Sequence, residues 1–283
     1  MTAMSPEISQ RLSIAVDGMP AFPQSVQKIL ELSRDVNCTP KDLVDVIDKD
    51  PVVTIKVLKV VNSAYYSLPR QITSVGHAVV YLGFNTIKNL AVSIAAIGML
   101  PKENASGFDV QQCLLHSLAT AGLAKHIAQK KSTADPMDCF IAGLLHDFGK
   151  VVFAQFMPLE FKAALHRCNT DGIPLHDALL EHVGADHAVV GAMLLEKWRF
   201  APELVETTRY QLARDLRDTE MIACVFAANQ ISKKLRFGFG GNPFYDELPE
   251  TVQRRLGATL DELISSLGDL NPIFEESKVF AKL

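Results

Sequence analysis

The chain has 283 residues, enough for one large or two modest domains at about 100–200 residues each. Apolar residues make up 48% and charged residues 21%, with 16 Gly and 14 Pro, which excludes a disordered or collagen-like chain. Its 28 basic and 32 acidic groups leave a net charge of −4, without the basic excess that grips a phosphate backbone, so nucleic acid is not an expected partner.

The longest strongly apolar run, Leu90 to Leu100, has 11 residues, about half of the ~20 that cross a bilayer. It reads as core. Met1 to Arg11 lacks a basic segment followed by an apolar run and a small-residue cleavage site, so the expected location is the cytoplasm, with no membrane partner. Cys38, Cys113, Cys139, Cys168 and Cys224 are odd in number and widely spaced, the pattern of reduced thiols.

Helices are predicted along the whole chain. Ile8, Leu12 and Val16 recur every four residues, and Val26, Ile29, Leu30 and Ser33 form a second stripe just after Pro23. Thr39-Pro40-Lys41-Asp42 is a start signal, with Thr39 as N-cap and Pro40 in the first helical position; Asp50-Pro51 repeats it. The segment that follows Asp50 is apolar nearly all round and rich in β-branched residues, so propensity alone would also suit a strand. The cap, the length and the helical neighbours favour a buried helix. A turn runs from Ser63 to Pro69, Ser74 caps another helix, and Leu82-Gly83-Phe84-Asn85 breaks the chain before a long apolar helix to about Met99.

Pro101 to Gly107 reads as a linker. A helix at about 110–130 turns at Lys131-Ser132-Thr133-Ala134 and restarts at Asp135-Pro136; further helices are expected at about 158–168, 174–183, 186–197, 202–213 and 219–235. Gly238, Gly240, Gly241 and Pro243 form a loop, and two or three amphipathic helices close the chain. The fold class is therefore all-α, with an N-terminal helical lobe at 1–100, a helical core at 108–236 and a helical extension at 237–283.

The residues with chemistry in them are Gly143-Leu144-Leu145-His146-Asp147-Phe148-Gly149-Lys150. Adjacent helical side chains diverge by about 100°, so imidazole and carboxylate can serve one cation or two neighbouring ones. Residue 131 lies midway between His116 and His146, at the turn between two predicted helices. If these helices form an antiparallel hairpin, the two histidines sit at similar depth. His187, in Gly184-Ala185-Asp186-His187-Ala188-Val189-Val190-Gly191, is a third candidate.

The His-Asp doublet resembles the HD-domain superfamily, whose metal-dependent phosphohydrolases use a first His, the His-Asp pair and a later Asp. With Asp50 to Tyr66, Ile72-Thr73-Ser74-Val75, Leu82-Gly83-Phe84, Gly184 to Gly191, and Trp198 with Pro202, the chain from about Met19 to about Ser232 is similar to the HDOD domain, an HD-related bacterial signalling module. The resemblance implies a multi-helical HD-like bundle, with His116, His146, Asp147 and His187 as the candidate metal ligands. It also exposes departures. Ala227-Ala228-Asn229-Gln230 stands where active relatives carry the last aspartate, and Thr208-Arg209-Tyr210-Gln211 where many show a His-His pair.

Three imidazoles and one carboxylate remain. A two-metal site must balance about four positive charges, usually with several carboxylates and a bridging hydroxide, so binuclear hydrolysis is not expected. A single Zn, Fe, Ni or Mn ion is the most that this set supports. The competing reading is a relic pocket in which Lys150 pairs with a carboxylate. The expected function is a regulatory signal-transduction module with a degenerate metal site and no hydrolase activity, with signalling proteins as partners and room for a small-molecule ligand and a homodimer. The alternative is a metal-dependent phosphohydrolase of nucleotides or cyclic dinucleotides, with Asp186 or Asp215 replacing the missing acid.

Other signals have plainer explanations. Asp147-Phe148-Gly149 spells a kinase triplet, but no glycine-rich loop or strand lysine accompanies it. Pro40 to Asn62 could pass for a helix-turn-helix, but Asp42, Asp45 and Asp48 would sit badly against phosphates. His77, His126, His166, His176 and His182 form no metal-binding spacing.

Overall fold

The computed structural model describes residues 5–32, 35, 37–66, 68–101 and 103–282. Ser33 of the second stripe and Ser67 of the Ser63–Pro69 turn lie outside the described residues. The protein is all-α, and no strand occurs among the described residues. It divides into two compact units, one of residues 1–20 and 100–270 and the other of 21–99 and 271–283. Neither unit is continuous in sequence.

The smaller unit holds α2 (Gln24–Leu32), α3 (Pro40–Asp48), α4 (Pro51–Val61), α5 (Val75–Leu82), α6 (Phe84–Gly98) and the C-terminal α17 (Asn271–Phe280). Its helix starts follow local chemistry. Thr39 and Asp42 form a reciprocal capping box, and the Asp50 and Ser74 side chains accept from the first-turn N–H groups of α4 and α5. The Asn62 amide donates to Leu58 O and Ile72 O and accepts from Ile72 N–H, each at 2.8 Å, which fixes the turn after α4. The neighbouring Ser63 hydroxyl is buried without a hydrogen-bond partner. Tyr65 and Tyr66 meet edge to face and donate to Pro272 O and Glu276 Oε1, tying α17 to this unit.

The larger unit holds α1 (Pro6–Gly18), α7 (Val110–Lys131), α8 (Pro136–Leu145), α9 (Phe148–Phe156), α10 (Pro158–Asp171), α11 (Leu175–Val183), α12 (His187–Lys197), α13 (Pro202–Arg209), α14 (Glu220–Lys234), α15 (Glu250–Leu256) and α16 (Leu260–Leu267). The expected hairpin forms: α7 and α8 pack along one another across the turn at 132–135, with Asp135 capping α8. The Lys197 ammonium donates to Val16 O, Asp17 O and Met19 O, and the Trp198 indole to Pro20 O, so the end of α12 collects the carbonyls at the end of α1.

One expectation changes. The helix expected at 202–213 stops at Arg209, because Gln211 turns inward to donate to the His146 carbonyl at 2.7 Å. Among the described residues one helical stretch is long and apolar enough to cross a membrane, Pro136–Phe156 at 21 residues, and 89% of its most apolar window is buried in the protein. Its break at His146-Asp147 disguises it in sequence and marks the site.

Candidate functional site

Two glycines flank the doublet, and each allows another helix backbone close approach. A Cβ at Gly143 would lie 2.8 Å from Ala121 Cα on α7, and one at Gly149 would lie 1.9 Å from the His187 carbonyl on α12. No larger residue fits either crossing without separating the helices. The close approach of α7 brings in His116, and that of α12 brings in His187. The doublet sits at the break itself: His146 ends α8 and Asp147 precedes α9.

Four polar side chains converge there, with His116, His146 and Asp147 no more than 1% exposed and His187 5% exposed. The His116 and His146 rings lie 5.4 Å apart. Asp147 Oδ2 is 3.7 Å from His116 Nε2 and 3.4 Å from His146 Nε2, while Oδ1 is 3.4 Å from His187 Nε2. Hydrogen bonds fix the two facing tautomers. Ser232 Oγ donates to Phe237 O, so it accepts from His116 Nδ1–H at 3.0 Å; His146 Nδ1–H donates to Gly143 O at 2.7 Å. Both Nε2 lone pairs thus face Asp147 without a hydrogen-bond partner. Burial holds both imidazoles neutral, pushing His116 down to about 3, and lowers His187 as well.

The Asp147 carboxyl is held well below the usual range: burial opposes its charge, and the positive charge beside it, that of Lys150, outweighs the burial. With the imidazoles neutral, Lys150 is the group that carries the balancing positive charge. Its ammonium is buried and donates to Asp147 Oδ2 at 2.6 Å and to Gly240 O at 2.7 Å. The loop carrying Gly240 closes over this pair. A Cβ at Gly240 would stand 2.7 Å from Asp147 Oδ2, 3.0 Å from His116 Cδ2 and 3.2 Å from Lys150 Nζ.

The donor set fits one divalent ion. His116 Nε2, His146 Nε2 and an Asp147 oxygen lie within 4.8 Å of one another, and imidazole-rich ligation suits the transition metals. His187 lies across the carboxylate from that trio. A pair of ions does not fit. Asp186 caps α12 through Ala188 N–H and Val189 N–H and is ion-paired with Arg214, which also holds Asp215. Both acids are engaged there, and neither is among the walls of the cavity that Asp147 lines. Asn229 does line the pocket, its Oδ1 buried and unbonded.

The structure adds Lys233 and His176 to the residues that the sequence points to. Asp147, Lys150, His187, Asn229, Lys233 and His176 line an inner cavity of about 20 Å3, the room of about one water. His176, expected to be uninvolved, is brought there by α11; His182 is exposed. Lys233, at the end of α14, borders both this cavity and a larger outer one of about 700 Å3. Its place at the end of a helix with a basic last turn is a signal for C-terminal capping, not for a pocket.

The comparisons with known proteins agree with this geometry. The HDOD domain family model matches residues 19–213. An uncharacterised protein of Treponema pallidum (strain Nichols) is 26% identical over 250 residues, 87% of this chain and 47% of its own length, so the chain spans about half of that curated relative. A solved HDOD domain protein of unknown function from Geobacter sulfurreducens superposes with a TM-score of 0.79 at 24% identity, covering 96% of this chain and 98% of that one. A Shewanella amazonensis SB2B protein named as a candidate phosphohydrolase gives 0.74 at 23% identity, covering 95% and 98%. A candidate signal transduction protein from Marinobacter aquaeolei VT8 gives 0.78 at 22%, covering 97% and 65%. At these identities the structures establish the fold, and the family match over more than half of the chain establishes the rest: this protein belongs to the HDOD domain family.

Proposed function

We propose that the chain is a regulatory signal-transduction module of the bacterial cytoplasm whose HD-like pocket does not hydrolyse phosphoesters, and that it works through protein contacts and a small ligand. The observation that carries this reading is the Lys150 ammonium, 2.6 Å from Asp147 Oδ2 and anchored on the other side by Gly240 O. The carboxylate of the His-Asp doublet already has its cation. Asp147 is balanced without a metal, and a divalent ion would have to displace a buried ion pair. The test is incubation of the purified protein with cyclic dinucleotides and nucleoside phosphates in the presence of Mn, Fe or Mg. The reading expects product at the level of the blank. Turnover that disappears in His146→Ala would overturn it.

One observation favours the alternative, a metal-dependent phosphohydrolase: the two Nε2 lone pairs face the carboxylate without hydrogen-bond partners. Neighbours of this fold carry phosphohydrolase names. In that reading His116, His146 and Asp147 hold one Zn, Fe, Ni or Mn ion, which supplies Lewis acidity when bound. Release of Lys150 from Asp147 is then a requirement, and the same assay decides between the two.

A further inference from the structure

The outer cavity, about 700 Å3 in volume, is of a size that takes small molecules, and its chemistry is one-sided. Lys233, Lys234 and Arg236 line it beside His116 and Asn242, with the rings of Phe239 and Tyr245 at its mouth; no acidic residue is among its walls. Phe239 is 41% and Tyr245 44% exposed. Lys234 is spoken for in part, at 2.6 Å from Asp261 and facing the Tyr245 ring. The other two cations are not. Among the described residues neither the Lys233 ammonium nor the Arg236 guanidinium has a hydrogen bond or ion pair, and the acids nearest Lys233 in the inner cavity, Asp147 and Asp246, make no ion pair with it.

A basic last turn would complement the dipole of α14 without any ligand, but two features go beyond that. Lys233 is half-buried, and an ammonium partly withdrawn from water without a protein partner favours an anion that completes its shell. Burial, followed by the nearby Lys150, pushes its pKa down to about 8. Arg236 holds the position that closes the helix, with Arg236 N–H to Lys233 O and Phe237 N–H to Ser232 O. Its φ is +57°, a left-handed conformation that glycine adopts freely and arginine only under strain. The chain keeps a cation on the cavity wall where glycine would close the helix more easily.

We propose that this cavity binds a phosphate-bearing small molecule, the phosphate held by Lys233, Lys234 and Arg236 and the body set against Phe239 and Tyr245. This seat borders the His-Asp pocket, with His116 in its wall and Lys233 and Asn242 shared with the inner cavity, but phosphate binding there does not require that pocket to hydrolyse anything. Occupancy would be sensed at Asp147, because the same loop lays Gly240 O on Lys150. The ligand thus has a route to the ion pair at the centre of the fold.

The test is titration of the full chain with inorganic pyrophosphate and with adenosine monophosphate, followed by thermal shift and calorimetry. Saturable stabilisation by either probe is expected, weakened about tenfold or more in Arg236→Gly and in Lys233→Met. Both variants should melt within a few degrees of the parent, since one relieves backbone strain and the other removes a half-buried charge that has no protein partner. The proposal fails if neither probe gives saturable binding up to about 10 mM. It fails equally if the variants bind as the parent does, or if sodium chloride at matched ionic strength reproduces the shift.

Discussion

Replacing Lys150 with methionine keeps most of the side-chain volume and removes the ammonium. Asp147, 1% exposed, is then left as a buried carboxylate among neutral imidazoles. Breaking a buried pair in this way costs about 3–5 kcal/mol, a large part of the ~5–15 kcal/mol that a folded domain has in total. At about 2–4 °C per kcal/mol for domains of this size, melting should fall by roughly 6–20 °C. Asp147→Asn alone should also destabilise, since it strands the ammonium. The double variant Asp147→Asn/Lys150→Met should recover most of the loss, because both desolvation penalties are gone. Urea unfolding of the four proteins closes the cycle and gives the coupling directly. Lys150→Met also frees Asp147 Oδ2 for His116, His146 and a divalent ion, so micromolar zinc should restore more stability to this variant than to the parent. A loss below about 1 kcal/mol in Lys150→Met, or a double variant no more stable than the weaker single, would refute the assignment of Lys150 as the pocket's cation.

Gly149→Ala places a methyl 1.9 Å from the His187 carbonyl; it should cost about 3 kcal/mol or more, read as loss of soluble folded protein or a lowered urea midpoint. Gly240→Ala crowds Asp147 and Lys150 from the loop side at 2.7 and 3.2 Å, and because a loop can back away it should cost less, about 1–3 kcal/mol, again by urea midpoint. Acid should destabilise the protein in a defined window. His116 is held at about 3 against an ordinary 6.5, so below pH 6.5 the unfolded chain takes up a proton that the folded one refuses. Stability is then complete above about pH 6.5 and declines towards pH 3, by up to about 1.4 kcal/mol per pH step for each histidine so held. Unfolding free energy measured between pH 4 and 8 should follow that slope, and a flat profile would contradict neutral imidazoles in the pocket.

Local chemistry made much of this fold legible. Thr39, Asp50, Ser74 and Asp135 each announce a helix start, and each caps one. The pairing of His116 with His146 could be read because an antiparallel hairpin with a short turn converts sequence distance into depth. The pairing of Lys150 with Asp147 was legible for a similar reason, one helical turn apart. What escaped depends on partners far away in sequence. The helix expected to 213 ends at Arg209 because Gln211 bonds to a carbonyl 65 residues earlier. The glycine loop at 238–241 reads in sequence only as a loop, while its role is to lay Gly240 against Asp147. Likewise, nothing local in 271–283 says that α17 joins the unit formed by residues 21–99, where Tyr65 and Tyr66 hold it.

If Lys150 supplies the positive charge of the His-Asp pocket, elemental analysis of untagged protein, purified without chelators, should find well under one transition-metal ion per chain, rising towards one in Lys150→Met after exposure to zinc. A full complement of tightly held metal in the parent protein, lost on His146→Ala, would contradict it.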